Sequence, residues 1–219
     1  MQRSWRTDGD KITFIVCQPV FRHLTTGIVD STVQVGVDDA EEKMLGDVNL
    51  FISPSEDDPN MLIGELELMI AEPAMQGKGY GKLALMAFLR YVVLYEEQIL
   101  EDYRAWAGCT AVTDENSVPT DYTTQQWNDN RSERAAAQQK RFGYLRARIG
   151  KGNLRSLTLF EHAGFELQSR EPNYFGELEM RMYGRMPGDI DSRLATNRSV
   201  ESLNDSSWKL LKYQYPTVT

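Results

Sequence analysis

One stretch, Gly64 to Tyr95 (GELELMIAEPAMQGKGYGKLALMAFLRYVVLY), constrains the chain more than any other. Leu66, Leu68 and Ile70 alternate with Glu65, Glu67 and Met69, the period of two expected of a strand with one buried face. Pro73 stops that strand, and three glycines follow at alternate positions, Gly77, Gly79 and Gly81. Leu83, Ala84, Leu85, Met86, Phe88 and Leu89 then mark a largely buried helix from about Gly79, with its end between Tyr95 and Trp106. The order is strand, glycine loop, helix.

Such a loop has a physical use. The first backbone N–H groups of a helix have no acceptor within it, and the macrodipole adds partial positive charge there, so a phosphate is a natural occupant. Glycine lets the backbone approach that phosphate with no Cβ in the way, and Lys78 and Lys82 add charge. Two familiar phosphate loops are excluded. A P-loop needs Ser or Thr after Gly81-Lys82, where Leu83 stands, and a G-x-G-x-x-G fingerprint needs glycine where Lys82 stands. Gln76-x-x-Gly79-x-Gly81 remains, against the plain alternative of a glycine-rich turn with no ligand.

The chain has 219 residues, enough for one good core and closer to one domain than two. Its net charge of −8 argues against a sequence-independent grip on nucleic acid and suits a basic acceptor such as a peptide amine. Cys17 and Cys109 share no motif with each other or with a histidine, so neither a disulfide framework nor a metal site is expected. The opening MQRSWRTDGDK lacks the apolar core of a signal peptide, and no apolar run nears the ~18 residues of a membrane helix. The expectation is a chain of the cytoplasm, or of cytoplasm and nucleus, with no membrane and no nucleic-acid partner.

Taken in order, Lys11–Cys17 and Lys43–Ser53 read as strands, with Gly46 a candidate bulge. With the strand ending at Ala71 they make an antiparallel meander. After the long helix, residues 96–143 are polar and lose their period, as an insertion would. Tyr144–Ile149 restores a period of two and should lie parallel to the Glu65 strand, because a helix crosses between them. Asn153–His162 is a short amphipathic helix, Phe165–Ser169 and Glu177–Tyr183 a last strand pair, and 186–219 a polar tail.

Two motifs carry a family resemblance. Gln76-x-x-Gly79-x-Gly81 resembles the acyl-CoA loop, Q/R-x-x-G-x-G/A, of the GCN5-related N-acetyltransferases, and Asn153-x-x-Ser156-x-x-x-Phe160-x-x-x-Gly164-Phe165 resembles that family's N-x-x-A-x-x-x-Y-x-x-x-G-F. Within the family, GDVNLF, GELELMIAEP, GKGYG and ARIGKGN are similar to the N-acetyltransferase 9-like branch. The resemblance implies a domain over 11–185 with the acyl-CoA N-acyltransferase fold. This is an α/β fold whose mixed, mostly antiparallel central sheet has helices on both faces and splays into a V between the Glu65 and Tyr144 strands. It also implies an N-terminally shortened chain, since the strand and helices that open the family's domain have no counterpart ahead of Lys11.

The implied activity is transfer of the acetyl group of acetyl-CoA, without a metal, to an α-amine or lysine of a protein or peptide. The pyrophosphate-binding amides fall on Gln76, Gly77, Lys78, Gly79, Tyr80, Gly81 and Lys82, and the pantetheine-pairing backbone on Met69, Ile70 and Ala71. Asn153, Ser156 and Phe160 match positions beside that arm, although Asn153 fits a helix N-cap equally well. Glu65, eleven residues before Gln76, matches the strand glutamate that histone-type relatives use as base, and Glu67 shares its face as the other candidate; the pair equally fits the solvent side of a half-exposed strand. Phe160 stands where many relatives carry a tyrosine that protonates the departing thiolate. Proton return then falls to water or Tyr144, or is dispensable. The rival reading is an acyl-CoA-binding or interaction module that keeps the fold and the loop without turnover.

Overall fold

The computed structural model describes residues 8–19, 22–23, 29–30, 34, 36–110 and 141–184. The alternation read in the Glu65 strand sets the layers. Leu62 and Leu66 of β5 (Leu62–Ile70) are buried on one face, and cross-strand register carries that face outward on both sides. It takes in Val48, Leu50 and Ile52 of β4 (Met44–Pro54), and Leu145, Ala147 and Ile149 of β6 (Leu145–Gly150). Met180 and Met182 of β8 (Glu177–Met182) extend it further. Helix α1 (Tyr80–Thr110) closes over this surface with Leu85, Met86, Phe88, Leu89 and Val92, and α2 (Leu154–Ala163) adds Phe160 and Ala163. Each such side chain contributes about 1.5–3 kcal/mol when fully buried.

With β1 (Lys11–Cys17) and the two-residue β7 (Glu166–Leu167), the sheet has the order β1-β4-β5-β6-β8-β7. Every pairing is antiparallel except β5 with β6. The short β2 (Arg22–His23) and β3 (Val29–Asp30) pair with each other. The mixed α/β sheet, the meander and the parallel crossover are as expected. Helices on both faces are not what the described residues show. Both α1 and α2 lie over the face of Leu66, while the alternate positions carry a polar group that includes Asn49, Glu65, Glu67, Arg146 and Arg148 beside the buried Ile63 and Tyr144.

Helix α1 changes direction at Tyr95, where φ is −113° and ψ 15°, and continues with Ile99 and Leu100 buried. Residues 96–110, the first part of the segment read as an insertion, are therefore core-forming helix. The rest of that segment, 111–140, and the tail from 185 lie outside the described residues. Glu96 ties the helix to the entry of β6 by accepting the Phe142 N–H at 2.7 Å.

Gly46 does sit at a bulge. Val16 pairs with Gly46 and Cys17 with Met44, leaving Leu45 as the extra residue, whose carbonyl accepts the N–H groups of Ala71 and Glu72 at 2.7 and 3.2 Å. A Cβ on Gly46 would overlap the Met69 carbonyl.

Candidate active site

The parallel pairing of β5 and β6 is short. It holds at Gly64–Leu145 and Glu65–Arg146 and then stops, while β5 runs on to Ile70 beside β4 and β6 runs on to Gly150 beside β8. The two strands part into a notch, lined on one side by the β5 edge at 66–70.

The glycine loop closes one end of that notch. The Glu72 side chain accepts the Ala74 N–H at 3.2 Å and starts a single 3-10 turn, Pro73–Met75, whose first carbonyl takes the Gln76 N–H at 3.2 Å. The Gln76 side chain donates to the Ile70 carbonyl at 2.8 Å, tying the loop to the strand end. Gly77 and Gly79 then take φ of +75° and +91°, the left-handed region that glycine enters at no steric cost. The Gly79 carbonyl accepts from Lys82 and Leu83, both at 3.1 Å, which begins α1. Among the described residues, no acceptor takes the N–H groups of 77–81. An amide run without partners at a helix N-terminus is an anion seat.

Arg155 was not among the residues read from the sequence. Its Nη2 lies 2.7 Å from the point where a Cβ on Gly77 would sit, so an exposed guanidinium stands over the unpaired amides. One signal was available: a cation in the first turn of a helix opposes the macrodipole and calls for an anion nearby. Gly81 packs the other way, with the Ile70, Leu159 and Leu68 side chains 3.7–3.9 Å from its Cβ position, so α2 forms the floor of the loop.

The second motif serves the helix it starts. Asn153 caps α2 by accepting the Ser156 N–H at 3.2 Å, and Gly164 ends it at φ 105°. Phe160 is 4% exposed, edge-on to Phe165 with ring centroids 5.0 Å apart.

The helix-free face divides the two glutamates. Glu65 is locked: its Oε2 accepts from Arg146 Nε at 2.8 Å and has Arg148 at 4.0 Å. Arg146, itself buried, also reaches Glu56 at 3.2 Å and Glu179 at 3.9 Å. Glu67 stands beyond this network and makes no ion pair among the described residues. Lost hydration against the sheet pushes its carboxyl above the usual range. The charges of Glu65, Asp47 and Glu177 push the same way, and Lys11 opposes them. Tyr144 is buried beside Gly64, with its Oη 3.2 Å from Ser55 Oγ, six residues along the strand and about 20 Å from Ile70.

A splayed parallel strand pair with an unpaired amide loop at its mouth defines the class of acyl-CoA N-acyltransferase folds. The acetyltransferase (GNAT) domain model matches residues 20–166, and the chain belongs to that family. It is 38% identical over 121 residues to an N-acetyltransferase 9-like protein of Caenorhabditis elegans, covering 53% of this chain and 49% of that one. It is 42% identical over 93 residues to alpha/beta-tubulin-N-acetyltransferase 9 of Homo sapiens, covering 42% and 39%. An N-acetyltransferase 9-like protein of Schizosaccharomyces pombe is 37% identical over 134 residues, covering 49% and 60%. The matches thus span about half the length of these curated relatives.

Proposed function

We propose that the chain binds acetyl-CoA in the notch and transfers its acetyl group to an amine of a protein or peptide. The observation that carries this is the run of amides at 77–81 with no acceptor among the described residues, set at the mouth of the notch. The donor set fits a pyrophosphate. Each amide bond to a charged phosphate contributes roughly 1.5–3 kcal/mol, and Arg155, Lys78 and Lys82 add charge. The backbone of Leu68 and Ile70 faces the notch rather than β4 and, apart from the Ile70 carbonyl that Gln76 holds, pairs with the amide groups of the pantetheine arm as an added strand would.

Acetyl-CoA supplies the activated acyl group as a thioester. The chain supplies the backbone N–H of Ile70, which faces the notch, for the oxygen on which charge develops, and a base for the amine. Glu67 is that base. Glu65 is held by Arg146 at 2.8 Å, whereas Glu67 makes no ion pair among the described residues and its proton affinity is raised. Phe160 and Tyr144 donate no proton to the leaving thiolate, so water does. A protein acceptor is supported by the name of the human relative, a tubulin N-acetyltransferase.

The test is a mass-spectrometric screen of peptide pools, with free α-amines and with blocked α-amines plus lysines, incubated with acetyl-CoA and the full chain. Acetylation of one pool that is lost in Glu67→Gln is expected. Acetyl-CoA binding with no acetylated peptide would favour the rival reading of a module without turnover, to which the lack of a hydroxyl at Phe160 lends weight. No binding at all would overturn both.

A further inference from the structure

The sheet face opposite α1 and α2 holds a hydrogen-bonded ladder. Register places Thr13, Asn49 and Glu67 side by side across β1, β4 and β5. Asn49 is 6% exposed, and both ends of its amide are engaged. Its Oδ1 accepts from Thr13 Oγ1 at 2.7 Å, and its Nδ2 donates to Asp47 Oδ2 at 2.8 Å. A buried amide is costly unless satisfied, so a strand spends such a residue only where the polar contact matters.

The ladder ends at Asp47. That residue is half-buried and pairs across the sheet with Met69, level with the part of β5 where acyl transfer is placed. Asn49 is the only hydrogen-bond partner of the Asp47 carboxylate among the described residues, and the arginines that lock Glu65 do not reach it. Both helices occupy the opposite face of the sheet. An amine approaching from the face that carries no helix among the described residues meets Asp47 and Glu67 together.

We propose that Thr13, Asn49 and Asp47 are positioning residues: the ladder pins the Asp47 carboxylate on β4, across β5 from the notch and diagonal to Glu67 on the same sheet face, where it holds the ammonium form of the acceptor within reach of Glu67. This rests on the acetyl-transfer reading. Asp47 changes no bond; the ammonium proton passes to Glu67, and the neutral amine is left to attack.

The test uses n-butylammonium as probe and n-butanol as neutral control, followed by NMR of the carboxyl carbons of Asp47 and Glu67 in the full chain. Butylammonium should shift both signals saturably and butanol neither. Asp47→Asn should weaken binding about 5-fold, as expected for loss of a partly exposed ion pair. Thr13→Val should weaken it by less, and Thr13→Ser should restore it. Asn49→Leu should act like Asp47→Asn if it folds, and the Thr13 pair decides the matter if it does not. No saturable shift, or equal affinity in Asp47→Asn, overturns the proposal. Because the probe needs neither acetyl-CoA nor turnover, failure of the acetyl-transfer reading shows separately, as absent acetyl-CoA binding. On a peptide that the parent chain acetylates, Asp47→Asn should raise KM and leave kcat. A fall in kcat at unchanged KM would count against the assignment.

Discussion

Glutamine at position 67 and glutamine at position 65 should behave differently, although the two side chains share a strand face. Glu67→Gln keeps volume and loses the proton acceptor, so kcat should fall about 10²–10⁴-fold, the usual worth of a positioned base. Acetyl-CoA affinity should hold, because the amides at 77–81 are reached without passing Glu67. In Glu65→Gln the new amide oxygen still accepts from Arg146, which also keeps Glu56 at 3.2 Å and Glu179 at 3.9 Å. One charge-assisted bond to a carboxylate 20% exposed is downgraded, about 1 kcal/mol of stability after screening. The pH profile adds a sign. Glu67 works only when ionised, so kcat/KM falls as pH drops through its pKa. Lost hydration first, and then Glu65, Asp47 and Glu177 against Lys11, set that acid limb above the ordinary carboxylate range. Glu65→Gln removes one of the raising charges and should move the limb to lower pH. The assay is kcat/KM against pH on one acetylated peptide for the three proteins. A Glu67→Gln variant within a few-fold of the parent, or an acid limb that rises in Glu65→Gln, would refute the reasoning.

Three further outcomes follow from particular contacts. Arg155→Ala should weaken acetyl-CoA binding about 5- to 10-fold by calorimetry, as expected for one exposed guanidinium on a phosphate, and Arg155→Glu should weaken it more; unchanged affinity in both would remove Arg155 from the site. Gly46→Ala should cost at least about 3 kcal/mol in denaturant unfolding, because a Cβ there meets the Met69 carbonyl, and a stable soluble variant would argue against the bulge. Burial raises the Glu96 carboxyl in the folded chain, with the Phe142 N–H and Arg141 opposing. Its favourable contribution is therefore complete below the unfolded pKa and is lost as pH rises through the folded one. Glu96→Gln keeps an acceptor for Phe142, so Tm near neutral pH should hold or rise and its pH dependence should flatten; a clear drop would contradict this.

The fold was legible where one residue pattern had one reading. Alternation in β5 and β6, the crossover helix between them and the glycine loop together place the notch. Other features depend on partners far along the chain. Nothing local to Glu65 and Glu67 separates them, because the arginines that lock Glu65 come from β6, some eighty residues on. The ladder was hidden for the same reason. Asp47 and Asn49 at alternate positions look like the wet side of a strand, and only the register with Thr13 shows that Asn49 is buried. The end of helix α1 was legible only as lying between Tyr95 and Trp106, short of Thr110, because polar composition beyond Tyr95 masked the spacing of Ile99 and Leu100.

The central claim is that the unpaired amides at 77–81 hold the pyrophosphate of acetyl-CoA, and calorimetric titration with acetyl-CoA tests it directly. Gly79 has open space at its Cβ position and a φ of +91°, so Gly79→Glu both strains the loop and sets a carboxylate at the phosphate seat. The Cβ position of Gly81 makes only ordinary contacts with Ile70, Leu159 and Leu68, so Gly81→Ala leaves the amides accessible. Binding is expected in the parent and in Gly81→Ala, and none in a folded Gly79→Glu. Equal affinity in Gly79→Glu, or no binding by the parent chain, would contradict the claim.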